Sequence, residues 1–379
     1  MAKKQETTDK FQEALERLNK QYGKGTVLSL DSKIEGDYNA ISTGSLGFDW
    51  ITLGVGGFVK GKIYELMGWE GTGKSTICGH AVASCQARGG KVVYIDGEHA
   101  VDKNYFEALG VDTTQMLIAQ PSSGEEGFNI AVEMMSTDEV DLIIIDSDSS
   151  LIPKAVLDGD VGDHAIGKKA RLNSGAYPKI KSIAHNTNTC IIVISQYREK
   201  IGVMFGNPTT TQGGHALKFY SDCRIEVSRS LAKDGKEVYG NLTKVKATKN
   251  KMSPPYRTAE FNIVYGVGID RVGEVLDLLN EYKLGRKYGD TYTFDDVKYN
   301  LDEFKQMILD DEELFTKLKN KLVSAIKGSP IKGSPEDDVV VEKKNDVVIQ
   351  VDKPQSRTEL LQASTPKTLT ADLFDNNEE

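Results

Sequence analysis

The sequence is poor in cysteine and lacks any long apolar run, and both shortages restrict its class. Four of its 379 residues are cysteines, with no C-x-x-C pair and no histidine at metal-binding spacing. The four are Cys78, Cys85, Cys190 and Cys223. This pattern is typical of buried, reduced thiols in a cytoplasmic protein. No apolar run reaches the roughly 18 residues that a membrane-spanning helix needs, so we expect no membrane partner. The N-terminal residues MAKKQETTDK carry charges without an apolar stretch behind them, so no secretory signal is expected.

The formal net charge of −9 disfavours a nucleic-acid partner, because such proteins usually carry a basic face. The acids, however, are concentrated at the C-terminal end of the chain. Residues 328–335 read GSPIKGSP, as in a flexible linker, and the stretch after them has about twice as many acids as bases. We predict that residues 329–379 form a disordered acidic tail. Without this tail the chain is closer to neutral, and the argument against nucleic acid weakens.

A glycine-rich phosphate loop is the central motif. Residues 68–75 read GWEGTGKS, which matches G-x-x-x-x-G-K-[ST] between an apolar strand, 63–67, and a helix that opens at Thr76. The glycines let backbone N–H groups point at a phosphate chain, and the positive end of the helix faces the same anion. We predict that Lys74 neutralises the β- and γ-phosphates and that the Ser75 hydroxyl binds Mg²⁺. The alternative is a chance Gly-Lys-Ser in a glycine-rich turn. The predicted nucleotide-binding residues of this loop are Gly68, Trp69, Glu70, Gly71, Thr72, Gly73, Lys74, Ser75 and Thr76.

Apolar runs of strand length alternate with helical segments from Ile41 to about Gly268, which predicts a mostly parallel sheet covered on both faces. These runs are 63–67, 92–95, 116–119, 142–145 and 190–195. Three later runs alternate apolar and polar residues and predict an antiparallel extension: 223–227, 242–248 and 259–264. The fold class is therefore α/β, with this core at residues 36–270 and a small C-terminal α/β domain at 271–328.

The N-terminal segment, residues 1–35, has the pattern of an amphipathic helix over 8–22 followed by a strand over 26–30. Such a helix and strand have little to bury against each other. The segment is either an extra layer on the core or an arm that docks on the sheet edge of a neighbouring subunit.

Polar residues follow three of the predicted parallel strands, where ligands bind in such sheets. Glu98 lies past the strand 92–95 and is our candidate to orient water at a γ-phosphate, with a helix cap or a solvated acid as the alternative. Asp146 ends the strand 142–145 and would hold the water shell of Mg²⁺. Gln196 follows the strand 190–195 and would sense a γ-phosphate without adding charge.

Two long polar segments lie among these strands, and long loops inside a compact domain are usually functional or disordered. The first polar segment, 158–171, is basic near its end, at Lys168, Lys169 and Arg171. The second polar segment, 196–215, mixes Arg198 and Lys200 with glycines, threonines and exposed-looking apolar residues. Both compositions favour folding around a nucleic-acid strand, and a lid that contacts protein is the alternative.

Lys249 and Lys251 close the strand 242–248 and flank a single residue, so their side chains point the same way. They would contact phosphate in the manner of an arginine finger supplied by another subunit. A solvated basic turn is the alternative.

Seven stretches make the sequence resemble the RecA-type strand-exchange recombinases over roughly residues 8–330: ISTGSL (41–46), GWEGTGKS (68–75), IDGEHA (95–100), KIGVMFGNP (200–208), GG (213–214), ALKFY (216–220) and KNK (249–251). The resemblance implies a DNA-dependent ATPase of homologous recombination, DNA repair and the SOS response, with ATP and Mg²⁺ as cofactors. It implies a helical head-to-tail filament on single-stranded DNA that pairs with a homologous duplex. Single-strand binding protein and loader proteins are further partners that it suggests.

The same resemblance assigns roles to single residues. Its catalytic set comprises Glu98 as the acid, Gln196 as the γ-phosphate sensor, Lys74, and the lysines that reach the ATP of the adjacent subunit, Lys249 and Lys251. It adds Asp102 and Tyr105 as adenine contacts, Asp146 as the Mg²⁺-linked acid and Phe219 as a residue packed between subunits. The N-terminal helix and strand become the polymerisation arm. The two polar segments become DNA-binding loops, with apolar wedges at Ile166 and Ile201; the DNA-binding residues are Ile166, Lys168, Lys169, Arg171, Arg198, Lys200, Ile201, Gly213 and Gly214.

The sequence departs from the family after Arg171, where Gly175 and Pro178 interrupt a helical pattern. Glycine costs about 1 kcal/mol and proline about 3 kcal/mol inside a helix, so we expect this helix to start later or to kink. The tail is also longer and less uniformly acidic than usual, and we expect it to compete with DNA for the basic segments. Three other functions share parts of the pattern: a ring-forming helicase, a P-loop kinase and a nucleotide-gated DNA-binding scaffold.

Overall fold

The computed structural model describes residues 2–23, 27, 38–160, 167–199, 209–211 and 213–329. They fall into two compact units, Met1–Tyr38 and Asn39–Glu379. Among these residues the helices are α1 Ala2–Tyr22, α2 Lys74–Gln86, α3 Lys103–Ala108, α4 Gly124–Ser136, α5 Lys154–Leu157, α6 Lys168–Asn186, α7 Ala216–Tyr220, α8 Arg271–Glu281, α9 Leu301–Asp310 and α10 Glu312–Gly328. The strands are β1 Ala40–Ile41, β2 Phe58–Val59, β3 Ile63–Gly68, β4 Val92–Asp96, β5 Met116–Ala119, β6 Leu142–Asp146, β7 Cys190–Glu199, β8 Thr209–Thr211, β9 Cys223–Asp234, β10 Glu237–Asn250, β11 Thr258–Val264, β12 Gly268–Ile269, β13 Gly285–Tyr288, β14 Thr291–Phe294 and β15 Val297–Asn300.

The first unit contains α1, which confirms the predicted helix and starts earlier than the pattern indicated. Asn19 binds Val27 twice: its amide Nδ2 donates to the Val27 carbonyl, and Val27 N donates to Asn19 Oδ1, each at 2.9 Å. Phe11 on this helix is 66% exposed. The predicted strand over 26–30 lies, apart from Val27, outside the described residues.

The second unit is built on a ten-stranded sheet in the order β12-β11-β10-β9-β3-β7-β6-β4-β5, with β8 paired to β7. Strands β3, β4, β5, β6 and β7 run parallel, and β9 runs parallel to β3. The strands β9 to β12 are antiparallel to one another. This confirms the predicted α/β class with a mostly parallel sheet and an antiparallel extension.

Both faces of the sheet are covered, which explains why its central strands are continuously apolar. Successive residues of β6 alternate between two hydrophobic clusters, as the two-residue period of a strand requires. Leu142 and Ile144 join the cluster of α2, whereas Ile143 and Ile145 join the cluster of α4 and α6. Packing on both faces holds the sheet in place, and the carboxyl ends of its parallel strands lie side by side at one edge.

Helix α6 is continuous from Lys168 to Asn186 with Pro178 inside it. The expectation that it would start later is therefore wrong. Tyr177, Ile180 and Ala184 on this helix are fully buried against the sheet. Tertiary packing of this face outweighs the low helix propensity of Gly175 and Pro178.

Residues 271–328 form α8, the antiparallel sheet β13-β14-β15, α9 and α10. The ring of Phe304 stacks on Tyr292, Phe294 and Tyr299, with the shortest centroid distance 4.5 Å to Tyr299. Their hydrophobic cluster includes Leu46, near the start of the second unit. No helix within the described ranges is long and apolar enough to cross a membrane.

Candidate active site

The phosphate loop connects β3 to α2 at the carboxyl edge of the parallel strands. Gly71 and Gly73 have φ values of +70° and +93°, a region that favours glycine. A Cβ at Gly73 would also lie 2.5 Å from Ile263 Cδ1. The loop therefore requires glycine at this position, as the motif predicts.

Lys74, the first residue of α2, points its ammonium back into the loop. Its Nζ donates to the carbonyl oxygens of Gly68 at 3.1 Å and Trp69 at 2.7 Å. Burial lowers the pKa of Lys74, and the Asp146 and Glu98 carboxylates oppose that shift. Among the described residues no carboxylate forms an ion pair with it. A buried cation held by carbonyl oxygens fits an anionic ligand such as a phosphate chain.

Asp146 ends β6 directly opposite the start of α2. Its Oδ2 accepts hydrogen bonds from Ser75 Oγ at 3.0 Å and from Tyr94 OH at 2.6 Å. Burial raises the pKa of Asp146, the Glu98 charge adds to that rise, and the Tyr94 hydrogen bond opposes it. The hydroxyl of Ser75 and the carboxylate of Asp146 are the hard oxygen ligands that Mg²⁺ prefers, so this pair fits the predicted metal.

Glu98 lies beyond β4, and its Oε1 accepts two hydrogen bonds. Gln196 Nε2 donates at 2.7 Å from the carboxyl half of β7, and Ser147 Oγ donates at 2.6 Å from the residue after β6. Two residues singled out from the sequence therefore meet, although β6 lies between their strands. Sequence reasoning missed Ser147, whose position directly after Asp146 was the available signal.

The two predicted adenine contacts are neighbours on α3. Asp102 caps this helix by accepting a hydrogen bond from Tyr105 N at 3.1 Å. The Tyr105 hydroxyl lies 2.7 Å from Thr76 Oγ1 in the first turn of α2. Burial raises the pKa of Tyr105, and its bond to Thr76 opposes the shift. Tyr105 thus borders the phosphate loop. Trp69, in the loop itself, is exposed and lies edge-on to Tyr197.

Lys249 and Lys251 lie at the other edge of the sheet. In the strand register, Lys249 of β10 lies opposite Arg224 of β9, and Arg224 lies opposite Glu65 of β3. Glu65 comes three residues before β3 ends at Gly68. Lys249 Nζ donates to the carbonyl oxygens of Lys218 at 2.8 Å and Phe219 at 3.0 Å. Partial burial and then the charge of Lys251 lower the pKa of Lys249. The two lysines and the phosphate loop of one subunit are therefore not brought together.

Lys251 has a different partner from Lys249. Its Nζ lies 3.8 Å from Asp222 Oδ1, and its backbone N donates to the Asp222 carbonyl at 3.1 Å. Lys181 also pairs with the Asp222 carboxylate. Phe219, near the same edge on α7, is 69% exposed.

The described DNA-binding candidates are divided between the surface and the interior. Arg171 on α6 and Arg198 on β7 are exposed. Lys168 Nζ donates to the Ala155 carbonyl at 2.9 Å, and Lys169 Nζ donates to the Leu151 carbonyl at 2.6 Å. Lys169 is largely buried, and burial lowers its pKa while Asp148 opposes the shift.

The second polar segment is described at its two ends. Arg198 pairs with Thr210 where β7 meets β8. Gly213 and Gly214 have φ values of +92° and +78°. Residues 161–166, 200–208 and 212 lie outside the described part of the chain. They include the predicted DNA-binding residues Ile166, Lys200 and Ile201.

Comparison with known proteins agrees with this geometry. The model of the RecA N-terminal domain family matches residues 9–270. Protein RecA of Porphyromonas gingivalis is 45% identical over 317 residues, covering 83% of this chain and 93% of that protein. Protein RecA of Cytophaga hutchinsonii is 42% identical over 330 residues, covering 86% and 93%. Protein RecA of Bacillus anthracis is 46% identical over 286 residues, covering 75% and 83%. The chain therefore belongs to the RecA family, whose members bind nucleotide and DNA, self-assemble and act as DNA-dependent ATPases in recombination and DNA repair.

Proposed function

We propose that this chain polymerises on single-stranded DNA as a helical filament, pairs that strand with a homologous duplex and exchanges strands, hydrolysing ATP between subunits. The observation that carries the proposal is the contact of Gln196 with Glu98 beside the phosphate loop. Gln196 also begins the second polar segment. A nucleotide at Glu98 and DNA at that segment would therefore share one residue.

Lys74 would move its ammonium from the carbonyl oxygens of Gly68 and Trp69 to the β- and γ-phosphates of ATP. The backbone N–H groups of the loop would cradle the same phosphates. Mg²⁺, held by Ser75 and Asp146, would neutralise part of the triphosphate charge. Asp102 and Tyr105 would contact the adenine, which the proximity of Tyr105 to Thr76 supports.

Glu98 would orient the water that attacks the γ-phosphorus. Its two hydrogen bonds end on Oε1, and among the described residues Oε2 has no partner. Oε2 is then the oxygen that accepts a hydrogen bond from the water. When ATP binds, the amide of Gln196 would move its hydrogen bond from Glu98 to the γ-phosphate. This change would transmit the state of the nucleotide to the second polar segment.

Lys249 and Lys251 would complete the site of the adjacent subunit. Their position at the opposite edge from Lys74 supports a contribution in trans. Such a head-to-tail interface is heterologous and builds an open helix when the rotation between subunits does not close into a ring. The exposed ring of Phe219 supports an interface at the same edge. We also propose that the N-terminal helix, with Phe11 exposed, docks on a neighbouring subunit.

The two polar segments would bind DNA. The exposed Arg171 and Arg198 supply positive charge for phosphates. Ile166 and Ile201 would wedge between base triplets, with Lys200 beside them. Lys168 and Lys169 would have to leave their carbonyl partners to touch DNA directly.

We further propose a cytoplasmic location, with single-strand binding protein or loader proteins as partners. The four cysteines are free and buried, and burial raises the pKa of each thiol. Such thiols are typical of a reducing compartment.

The decisive experiment is a D-loop assay with ATP and a single strand, using a homologous duplex and a non-homologous duplex of equal length. We expect joint molecules with the homologous duplex alone, and the absence of joint molecules with both duplexes would reject strand exchange.

ATP hydrolysis stimulated by single-stranded DNA without another acceptor would exclude a kinase. Glu98→Gln should lower hydrolysis by roughly 10²- to 10⁴-fold, whereas equal, near-zero rates in both proteins would favour a scaffold. Rings instead of filaments in electron micrographs would favour a helicase.

A further inference from the structure

A buried polar cluster lies beside the active site, and its central residues Asp148, Asn173 and Tyr177 have no role in the proposed hydrolysis. The Asp148 cluster consists of Asp148, Lys169, Asn173, Tyr177 and Gly213. Asp148 is 1% exposed and opens a short 3₁₀ helix, Asp148–Ser150, directly after Ser147. Asn173 and Tyr177 are fully buried on α6, one turn apart.

Asp148 is the centre of this cluster. Its Oδ1 accepts from Tyr177 OH at 2.6 Å, and Asn173 Nδ2 lies 3.1 Å from Oδ1 and 3.0 Å from Oδ2. Lys169 Nζ is 3.6 Å from Oδ1. Asn173 Nδ2 also donates to the Gly213 carbonyl at 3.2 Å. All of these oxygens are acceptors, which fixes the orientation of the Asn173 amide.

The cluster joins the ends of both polar segments. Lys169 belongs to the first polar segment, and Gly213 belongs to the second. A Cβ at Gly213 would lie 2.3 Å from Asn173 Nδ2 and 2.6 Å from Asp148 Oδ2, so the Gly213 backbone rests directly on these two side chains. This close approach leaves no room for a side chain at Gly213 and fixes the position of its backbone.

The second polar segment is thus held at both ends by neighbouring parts of the active site. Its first residue, Gln196, donates to Glu98, which also accepts from Ser147. Gly213 lies near the last residue of this segment. Its carbonyl accepts a hydrogen bond from Asn173, which also donates a hydrogen bond to Asp148. Ser147 and Asp148 are consecutive. A continuous set of contacts therefore connects the catalytic acid to both ends of the segment.

A charged carboxylate is costly to bury, and well-packed apolar side chains of similar volume often stabilise a core as well or better. Stability alone therefore does not explain the Asp148 cluster. We propose that Asp148 and Asn173 are positioning residues that anchor Gly213 and couple nucleotide binding at Glu98 to DNA binding at the second polar segment. The inference rests on the proposed function, since it concerns the coupling that this function requires.

The test compares Asn173→Ala with Tyr177→Phe in the full-length chain. Both substitutions remove one hydrogen-bond donor from Asp148, but Asn173→Ala alone releases Gly213. The measured quantity is the ratio of oligonucleotide affinities with and without a slowly hydrolysed ATP analogue. We expect Asn173→Ala to reduce this ratio roughly tenfold, as for one lost hydrogen bond, and Tyr177→Phe to retain it. Affinity for the analogue without DNA should stay within about twofold of wild type in both variants.

Equal loss of the ratio in both variants would mean a structural role and would overturn the inference, as would a normal ratio in Asn173→Ala. If wild type itself showed no nucleotide-dependent DNA binding, the proposed function would fail and the inference with it. If Asn173→Ala does not fold, amide hydrogen exchange at Gly213 and Gly214 in the wild type decides. We expect slower exchange there when the analogue is added, and unchanged exchange would overturn the inference.

Discussion

The side-chain amide of Gln196 donates a 2.7 Å hydrogen bond to Oε1 of Glu98, across the intervening strand β6. The predicted nucleotide sensor is therefore in direct contact with the predicted catalytic acid. Because Gln196 also opens the second polar segment, any change at Glu98 has a short path to that segment.

Replacement of Gln196 should make the rate of ATP hydrolysis largely independent of DNA. We expect Gln196→Ala to retain ATP hydrolysis measured without DNA and to lose most of its stimulation by single-stranded DNA, roughly tenfold or more. Steady-state ATPase rates with and without an oligonucleotide test this. Gln115→Ala is the matched control, because Gln115 Nε2 bonds the Asp112 carboxylate at 2.6 Å on the surface. Full stimulation of Gln196→Ala would contradict the sensor role.

Lys249 and Lys251 should act on the neighbouring site. We expect Lys251→Ala to bind nucleotide normally as a dispersed subunit and to lose at least about 100-fold in DNA-stimulated hydrolysis, because a cation that stabilises transferring phosphate is lost. Lys249→Ala should behave in the same way. Lys244→Ala is the control, because Lys244 is an exposed residue of β10 paired with Glu260 at 3.3 Å.

Mixing two inactive variants tests the origin of these lysines more directly. In an equal mixture of Lys74→Ala and Lys251→Ala subunits, about one quarter of the interfaces would combine an intact phosphate loop with intact lysines. Hydrolysis should therefore reappear on mixing. Its continued absence would mean that the lysines act within their own subunit or not at all.

Ser147 should orient Glu98 without touching ATP. Loss of its 2.6 Å hydrogen bond in Ser147→Ala should lower kcat about five- to tenfold with little change in KM for ATP, since one hydrogen bond contributes roughly 1 kcal/mol. Ser149→Ala is the control, because Ser149 Oγ lies 2.7 Å from Ser147 Oγ and has no hydrogen bond to Glu98. A raised KM with normal kcat would exclude this role.

His80 should make stability depend on pH. Its Nε2 accepts a 2.9 Å hydrogen bond from Ile269 N, and burial lowers its pKa from 6.5 to about 4. The unfolded chain then binds a proton between these two values while the folded chain does not, so stability falls as pH decreases through this window. We expect wild type to lose about 2 kcal/mol more than His80→Gln between about pH 7 and about pH 5.

Urea unfolding at the two pH values measures this difference, and the amide of His80→Gln keeps an acceptor for Ile269 without titrating. The comparison of the two proteins is needed because buried acids act in the opposite direction. Burial raises the pKa of Glu274 to about 7 and that of Asp49 to about 6. Parallel pH curves for the two proteins would contradict the prediction.

Removal of the acidic residues after Gly328 should speed loading onto duplex DNA, because an acidic tail competes with phosphates for basic segments. A tail of equal length with its acids changed to amides is the control for chain length. Loading rates measured at several salt concentrations should differ most at low salt. Unchanged loading after truncation would reject the competition.

The sheet and the phosphate loop could be predicted because their signals are local. Runs such as 142–145 are apolar on both faces, and the loop glycines and Lys74 occupy a fixed spacing. The polar residues Asp146, at the end of β6, and Gln196, inside β7, followed from the same runs. These features need no knowledge of which distant residue packs against them.

The rest could not be predicted because it depends on long-range partners. The basic run around Lys169 predicts a DNA contact, but its side chain is largely buried beside Asp148, and no sequence pattern links these two residues. Helix α6 passes through Pro178 because the buried Tyr177 and Ile180 hold it against the sheet. The hydrogen bond of Ser147 to Glu98 joins two separate strand ends, and neither has a pattern that indicates the other.

The position of Lys74 and Lys249 at opposite edges of the sheet has a consequence for heredity. In the proposed filament each polypeptide serves two hydrolysis centres, its own and that of the next copy. An altered allele affecting Lys249 would impair the centres of healthy neighbours. In cells that carry both alleles the share of impaired centres would equal the share of altered chains, but the impaired centres would lie on neighbouring copies, including unaltered ones.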